Sequence, residues 1–177
     1  INEDSKQQNY FSTLGFSNPY IQSSNINGLN TFLAQSEYPL AIERGPISAL
    51  MRSEKTLIAI HENTTSSLYI GDGFVRQGED FILTKTNDVI GDDRELAFGY
   101  GTINPESLIK VYNYVFWWDG IRGSVVQYTQ AGLFNIARYG MESYFFQKSR
   151  DYFPYRNEVK IITGFDYSHG ELIITFP

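Results

Sequence analysis

The stretch that constrains the fold most is residues 108–146, which begin with a nearly continuous run of apolar and aromatic side chains. Residues 111–118 are interrupted only by Asn113, and the run breaks at 119–123 (DGIRG), where two glycines and an aspartate supply turn conformations. A second β-prone run, 124–128, follows directly. The pattern predicts an antiparallel hairpin, followed by a short strand at 133–137 and a helical turn at 141–146.

Hairpins of this design recur along the chain. Each has an apolar first strand, a polar or glycine-rich tip and a β-branched second strand, and together they occupy residues 56–70, 111–128 and 159–176. Their starts lie 55 and 48 residues apart. A period near fifty residues is typical of β-propeller blades, whereas the strands of a β-sandwich follow one another at about 8–12 residues. We therefore predict an all-β fold of antiparallel hairpins forming a partial propeller, with a β-sandwich as the alternative.

The sequence predicts two regions. Residues 1–31 are polar, with scattered Gly and Pro, and residues 31–41 have mixed apolar character without a clean period. Together, residues 1–41 are expected to be an irregular lead-in that docks on something else, with a floppy terminus as the open alternative. Residues 42–177 are expected to form a propeller-like domain of about three blades. Within it, residues 85–102 are predicted to be a loop, and tips are predicted at 61–66 and 164–170. Because the chain starts without Met and ends on a β-prone run, we expect it to be a piece of a longer protein. Either the missing blades lie outside this piece, or other parts of the assembly cover the open edges.

Composition narrows the possible functions. The 14 basic and 20 acidic residues give a net charge of −6 without any basic cluster, which disfavours tight binding of DNA or RNA. The chain has no cysteine, so thiol catalysis and cysteine-based metal sites are excluded. No run approaches the roughly twenty apolar residues that span a bilayer, so no membrane span is predicted.

Several carboxylates fall at predicted tips and loops, where they could serve glycoside hydrolysis. Glycosidases on propeller folds use paired carboxylates, and the nearby aromatic residues Trp117, Trp118 and Tyr167 could stack on sugar rings. The competing interpretation, which we favour, is that an aspartate beside a turn glycine hydrogen-bonds its own backbone. We therefore predict no enzyme, no catalytic residue and no small-molecule ligand. The carboxylates weighed are Glu62, Asp72, Asp92, Asp93, Glu95, Asp119 and Asp166.

The two histidines, His61 and His169, both lie in predicted tips and are expected to be solvated. Neither has enough neighbouring ligands in sequence to complete a metal site, so no metal and no cofactor are predicted. Asp119 and Arg122 are expected to form a local ion pair across their turn, worth less than about 1 kcal/mol if exposed. Trp117 and Trp118 point to opposite faces of one strand, and we expect both to be buried inside a packed blade.

A combination of hairpin motifs resembles the propeller segments of the muzzle or nozzle proteins at the distal tail tube of short-tailed and crAss-like bacteriophages. The resemblance covers roughly residues 42–177. Its central motifs are 101–107 (GTINPES), 114–123 (YVFWWDGIRG), 127–128, 132–133 with Ile136, and 140–145 (GMESYF). Flanking motifs are 45–47 (GPI), 57–62 (LIAIHE), 68–70 (LYI), 164–167 (GFDY) and 171–176 (ELIITF).

The resemblance implies a structural protein of the virion. Copies would form a six-fold ring with other tail proteins around the channel through which the genome leaves, and the DNA would pass without specific binding. A net-negative surface suits such a conduit. The competing interpretation, which we favour for the charge itself, is that mild acidity serves solubility. Two alternatives remain open: a carbohydrate-binding or glycoside-hydrolysing propeller from a bacterium, and a bacterial cell-surface adhesin module.

Overall fold

A computed structural model describes residues 10–18, 28–34, 36–53, 56–70, 74–77, 80–83 and 89–177. Within these residues the chain is mostly β, with a single α-helix, α1 (Glu142–Tyr152). Short 3₁₀ turns lie at Gly28–Asn30, Ile42–Arg44, Pro105–Ser107, Ile136–Arg138 and Phe153–Tyr155. The strands are β1 (Thr13–Gly15), β2 (Glu37–Pro39), β3 (Ile47–Ser53), β4 (Thr56–His61), β5 (Thr65–Ile70), β6 (Phe74–Gln77), β7 (Asp80–Leu83), β8 (Ile90–Glu95), β9 (Ile109–Val111), β10 (Tyr114–Asp119), β11 (Ser124–Thr129), β12 (Gly132–Asn135), β13 (Ile162–Asp166) and β14 (Glu171–Thr175).

Two four-stranded antiparallel sheets form the centre of the structure. The first sheet has the order β3-β4-β5-β8, and the second sheet has the order β12-β11-β10-β9. The strands β6 and β7 pair with each other between β5 and β8 in the chain. The pairs β1–β2 and β13–β14 are separate two-stranded ribbons. The prediction of an all-β, antiparallel fold is thus confirmed, and no sheet closes on itself within the described residues.

The first and second sheets pack face to face through a shared apolar cluster. Alternation along β4 points Ile58 and Ile60 toward the second sheet, while the same period on β10 points Val115 and Trp117 back toward the first. Trp117 is fully buried in this layer. Other members of the cluster are Tyr100, Val126, Tyr128 and Leu133.

Each sheet is also covered on its other face. Ala59 and Leu68 of the first sheet pack against Leu14 and Leu40, which belong to the β1–β2 ribbon and its flank. Trp118 of the second sheet is 1% exposed, in contact with α1 and the β13–β14 ribbon. The layers therefore follow one another in chain order, and the prediction that both tryptophans are buried is confirmed.

Several element boundaries differ from the sequence predictions. The tip predicted at 61–66 is only three residues long, because β4 continues through His61 and β5 begins at Thr65. Residues 90–95, predicted as part of a loop, form the edge strand β8. The helical turn predicted at 141–146 extends to Tyr152. The last hairpin is shifted so that its turn starts at 167 rather than 164. Within the predicted lead-in, Thr13–Gly15 and Glu37–Pro39 pair as a short ribbon.

Candidate functional site

Polar side chains concentrate where the second strand of each large sheet ends. In the first sheet this position is His61, the last residue of β4, and in the second sheet it is Asp119, the last residue of β10. Both side chains have no solvent exposure. Since a buried polar group must find partners, these two positions organise the hydrogen bonds around them.

The His61 cluster comprises Tyr38, Arg44, His61, Ser66, Asp93 and Glu95. The Nδ1 atom of His61 lies 3.1 Å from the carbonyl oxygen of Gly45, and Nε2 lies 3.0 Å from the hydroxyl of Ser66. Because a carbonyl only accepts, Nδ1 carries the proton and Nε2 accepts from the Ser66 hydroxyl. Ser66 also accepts a hydrogen bond of 3.1 Å from Nη1 of Arg44.

Carboxylates of β8 complete the His61 cluster. Arg44 forms a salt bridge with Asp93, and its Nε lies 3.8 Å from Oε2 of Glu95. Tyr38 donates from its hydroxyl to Asp93 across 2.9 Å, and Thr64 donates to Glu95 across 3.0 Å. The cluster thus links β2, the turn at Ile42–Arg44, β5 and β8.

The environment shifts the pKa values of three groups in the His61 cluster. Burial lowers the pKa of His61, because the charged imidazolium would lose its hydration. Burial, together with the hydrogen bond to Asp93, raises the pKa of Tyr38 to about 12. Burial alone would raise the pKa of Asp93, but the hydrogen bonds from Arg44 and Tyr38 outweigh it and lower that pKa. At neutral pH the cluster holds a neutral histidine beside a paired carboxylate.

The contact between Ser66 and His61 has the spacing of a nucleophile and its general base. Both residues are completely buried, and the Ser66 oxygen already accepts a hydrogen bond from Arg44. A substrate carbonyl cannot approach this oxygen without opening the sheet. The arrangement therefore fixes the position of strands rather than supporting acyl transfer.

The Asp119 cluster comprises Gly101, Thr102, Asp119 and Arg122. Oδ1 of Asp119 accepts from the backbone nitrogens of Ile121 and Arg122 at 3.0 and 2.9 Å. Oδ2 accepts from the Gly101 nitrogen and from Nη1 of Arg122, both at 3.2 Å. Burial raises the pKa of Asp119. The predicted ion pair and the turn bonding by the aspartate are both confirmed. The carboxylate is buried, so the small value given for an exposed pair does not apply to it.

The segment before β9 joins the two clusters. The Thr102 nitrogen donates to the His61 carbonyl across 2.9 Å, and the Thr102 hydroxyl donates to the Trp118 carbonyl across 2.7 Å. Trp117 donates from Nε1 to the Gly101 carbonyl across 3.0 Å. These bonds lock the end of the first sheet to the end of the second.

Among the described residues, the remaining weighed carboxylates do not form a pair around one cavity. Glu62 is half-buried, with its backbone against Gly101, and Asp92 is exposed on β8. Asp166 accepts from the backbone of Ser168 and pairs with the exposed His169 at 2.7 Å. Asp72 lies outside the described residues.

The two histidines differ in their burial. The prediction that His61 is a solvated tip residue is wrong, because the strand extends to include it and burial gives it two fixed partners. His169 is exposed, as predicted.

No group of three or more potential metal ligands occurs among the described residues. The helices in that part of the chain are too short or too polar to cross a membrane.

Sequence reasoning missed the roles of Tyr38, Arg44 and Ser66. Arg44 is 49 residues from Asp93 along the chain, so only the fold brings this pair together. The one local signal is the sequence Glu43-Arg44-Gly45-Pro46, whose glycine and proline indicate a turn but no partner for the arginine. Tyr167, weighed as a sugar-stacking residue, is 66% exposed, and its ring lies 6.2 Å from that of Tyr112.

Comparison with known proteins does not extend these observations. No protein-family model matches the chain, and a search of curated proteins gives no significant match.

Proposed function

We propose that this chain is a non-catalytic structural component of a bacteriophage tail. In this proposal its sheets are blades of a β-propeller, and copies of the protein assemble with other tail proteins into a ring around the DNA exit channel of the virion. The six-fold number of copies comes from the resemblance of the hairpin motifs to muzzle and nozzle proteins.

The observation that carries the proposal is the serial stacking of antiparallel sheets. Two four-stranded antiparallel sheets pack face to face through Trp117, and a further ribbon covers the outer face of each. In a propeller, each four-stranded sheet likewise packs only on its neighbours. The contact of β13 with β9, the first strand of the second sheet, is consistent with β13 being the first strand of another blade.

The β13–β14 ribbon carries an apolar outer face, which suits further assembly. Ile162 and Ile173 lie on the face opposite to Trp118 and are 54% and 50% exposed. Exposed apolar side chains on an open sheet face are typical of surfaces that pack against another sheet. In the proposed assembly this face contacts the next blade.

The polar clusters favour a structural role. Three of the weighed carboxylates have local partners, because Asp93 pairs with Arg44, Asp119 with Arg122 and Asp166 with His169. Glycoside hydrolysis instead requires two carboxylates on either side of one sugar bond. The net charge of −6 also suits a conduit from which DNA must leave.

The test is cryo-electron microscopy of the virion or complex that contains this chain. We expect a ring coaxial with a tube, in which the sheets of each copy pack against blades of the same or a neighbouring chain. Gold-labelled antibodies raised against the chain should mark the tail tip. A closed, single-chain domain unconnected to any tube would overturn the proposal.

Carbohydrate binding is the second candidate, because aromatic side chains are exposed at the turns. Tyr112 and Tyr167 are 73% and 66% exposed and meet edge to face, with Asp166 and His169 beside them. Such rings can stack on sugars. A glycan array, compared with the Tyr112→Ser and Tyr167→Ser variants, would distinguish this candidate, since saccharide binding lost in both variants would favour it.

A further inference from the structure

A groove of about 960 Å³ opens between the outer strands of the first and second sheets. We call it the inter-sheet groove. One wall is the end of the first sheet, at Ser53, Thr56, Ser67 and Arg94, and the other wall is the β11–β12 turn and strand β12. It lies outside both polar clusters described above.

The groove combines a hydroxyl-bearing wall with an apolar one. Register places Ser67 directly opposite Arg94, so both side chains project from the face that meets the second sheet. Across from them lie Tyr128 and Leu133 of the second sheet. Phe98 stands at the rim, 73% exposed. A ligand here meets a cation and hydroxyls on one side and apolar surface on the other.

Charge distinguishes the groove from the rest of the molecule. Arg94 lines it, and none of the lining residues that the structure describes is acidic, although the chain as a whole carries −6. The alternation of β8 sends Asp93 to the opposite face, where it pairs with Arg44. Among the described residues, Arg94 takes part in none of the salt bridges. The groove is therefore complementary to a carboxylate.

Strand edges border the groove. β8 is the last strand of the first sheet and β12 the last strand of the second, so neither has a second neighbouring strand within the described residues. An edge strand offers its outward backbone N–H and C=O groups to an incoming extended chain. Sugars lack the regularly spaced amides that would pair with such an edge, which favours a peptide occupant.

We propose that the inter-sheet groove binds an extended, acidic segment of a partner protein, in which Asp or Glu alternates with apolar residues. The segment pairs with the edge of β12, directs carboxylates toward Arg94 and places apolar side chains against Tyr128, Leu133 and Phe98. This inference goes beyond the proposed tail role and does not depend on it.

The test is fluorescence anisotropy with a labelled ten-residue peptide of alternating Asp and Leu. We expect saturable binding that weakens as NaCl is raised, because salt screens the carboxylate–arginine attraction. The same peptide with Lys in place of Asp should not bind. A version methylated on alternate backbone nitrogens should bind at least about tenfold more weakly, because it cannot form the strand pairing.

Two variants locate the site. Arg94→Glu should weaken peptide binding at least about tenfold, whereas Arg150→Glu, a matched change on the exposed surface of α1, should leave it unchanged. Phe98→Gly removes the exposed ring at a position whose φ of 77° glycine adopts without strain, so the variant should fold and bind the peptide more weakly. Circular dichroism of the variant checks that the fold is kept.

Three results would overturn the proposal. In the first, the acidic peptide does not bind. In the second, the peptide binds but Arg94→Glu leaves its binding unchanged. In the third, polygalacturonate binds and prevents the peptide from binding. The last result would assign the groove to an acidic polysaccharide. Because the assay uses soluble protein and peptide, its outcome is independent of whether the chain sits in a tail ring.

Discussion

At the scale of single residues, Gly101 lies where the segment before β9 passes closely over the end of β4. A Cβ atom built there would lie 2.4 Å from the carbonyl oxygens of both His61 and Glu62. We predict that Gly101→Ala lowers the free energy of unfolding by about 2–3 kcal/mol, because backbone atoms cannot move aside as a flexible side chain can. Chemical denaturation followed by tryptophan fluorescence measures this change.

Gly164→Ala is the matched control for this substitution. A Cβ at Gly164, on β13, has no atom within 4 Å, so the variant should be as stable as the parent or gain about 0.5 kcal/mol. Equal effects of the two substitutions would contradict the close approach at Gly101.

His61 makes stability depend on pH. Burial lowers its folded pKa below the ordinary value of 6.5, so the unfolded chain binds a proton first as pH falls. The stabilisation is therefore fully present above about pH 6.5 and is lost below it, at up to about 1.4 kcal/mol per pH unit.

The measurement is urea denaturation between pH 8 and pH 5. His61→Gln should lower stability at pH 8 but flatten the loss below pH 6.5. His169→Gln, which replaces an exposed histidine, should keep the slope of the parent. If the His61→Gln variant kept that slope as well, the buried neutral histidine would not be its source.

Sequence alternation predicted the burial of Trp117 and Trp118 but not of His61. The tryptophans follow from the two-residue period of a strand that is covered on both faces. His61 stands in a polar run, 61–66, that locally has the composition of a loop. Its partners are the backbone carbonyl of Gly45, which is 16 residues away in the chain, and the hydroxyl of Ser66 at the far end of the same polar run, so local polarity gave the wrong environment.

At the scale of elements, the β13–β14 ribbon is attached through one face. The Phe176 ring, just after β14, lies 5.2 Å from Trp118 edge to face and stacks on Tyr152 at 5.7 Å. We predict that Phe176→Ala costs about 2–3 kcal/mol and moves Trp118 emission to longer wavelength, because the indole becomes wetter. Ile173→Ala, on the opposite, exposed face, should change stability by less than about 0.5 kcal/mol.

Strands with two buried faces were easier to predict than edge strands. β4 and β10 are recognisable in the sequence as nearly continuous apolar runs, because both faces of each strand pack against other layers. β8 has the sequence Ile-Gly-Asp-Asp-Arg-Glu, in which only Ile90 is buried. Its pairing depends on the edge of β5 and on Arg44, neither of which its own composition reveals.

At the scale of the whole molecule, assembly should depend on the open face of the β13–β14 ribbon. If the proposed ring forms through this face, Ile162→Lys combined with Ile173→Lys should abolish higher oligomers and leave the folded protomer intact. Mass photometry and circular dichroism measure the two outcomes separately. Tyr139→Lys, at another exposed aromatic residue, should leave assembly unchanged. Oligomers that persist in the double variant would assign assembly to a different surface.

Adjacent tryptophans on β10 place one natural fluorophore in each of two successive layers. Trp117 reports on the layer between the large sheets and Trp118 on the layer beneath the β13–β14 ribbon. Proteins whose units touch only their neighbours can lose structure one interface at a time, as a chain of coupled units does. The fluorescence of Trp117→Phe comes from Trp118, and that of Trp118→Phe comes from Trp117. Comparing the unfolding curves of the two variants would show whether these layers unfold together or in succession. The two tryptophans can thus report how far cooperative unfolding extends along the stacked layers.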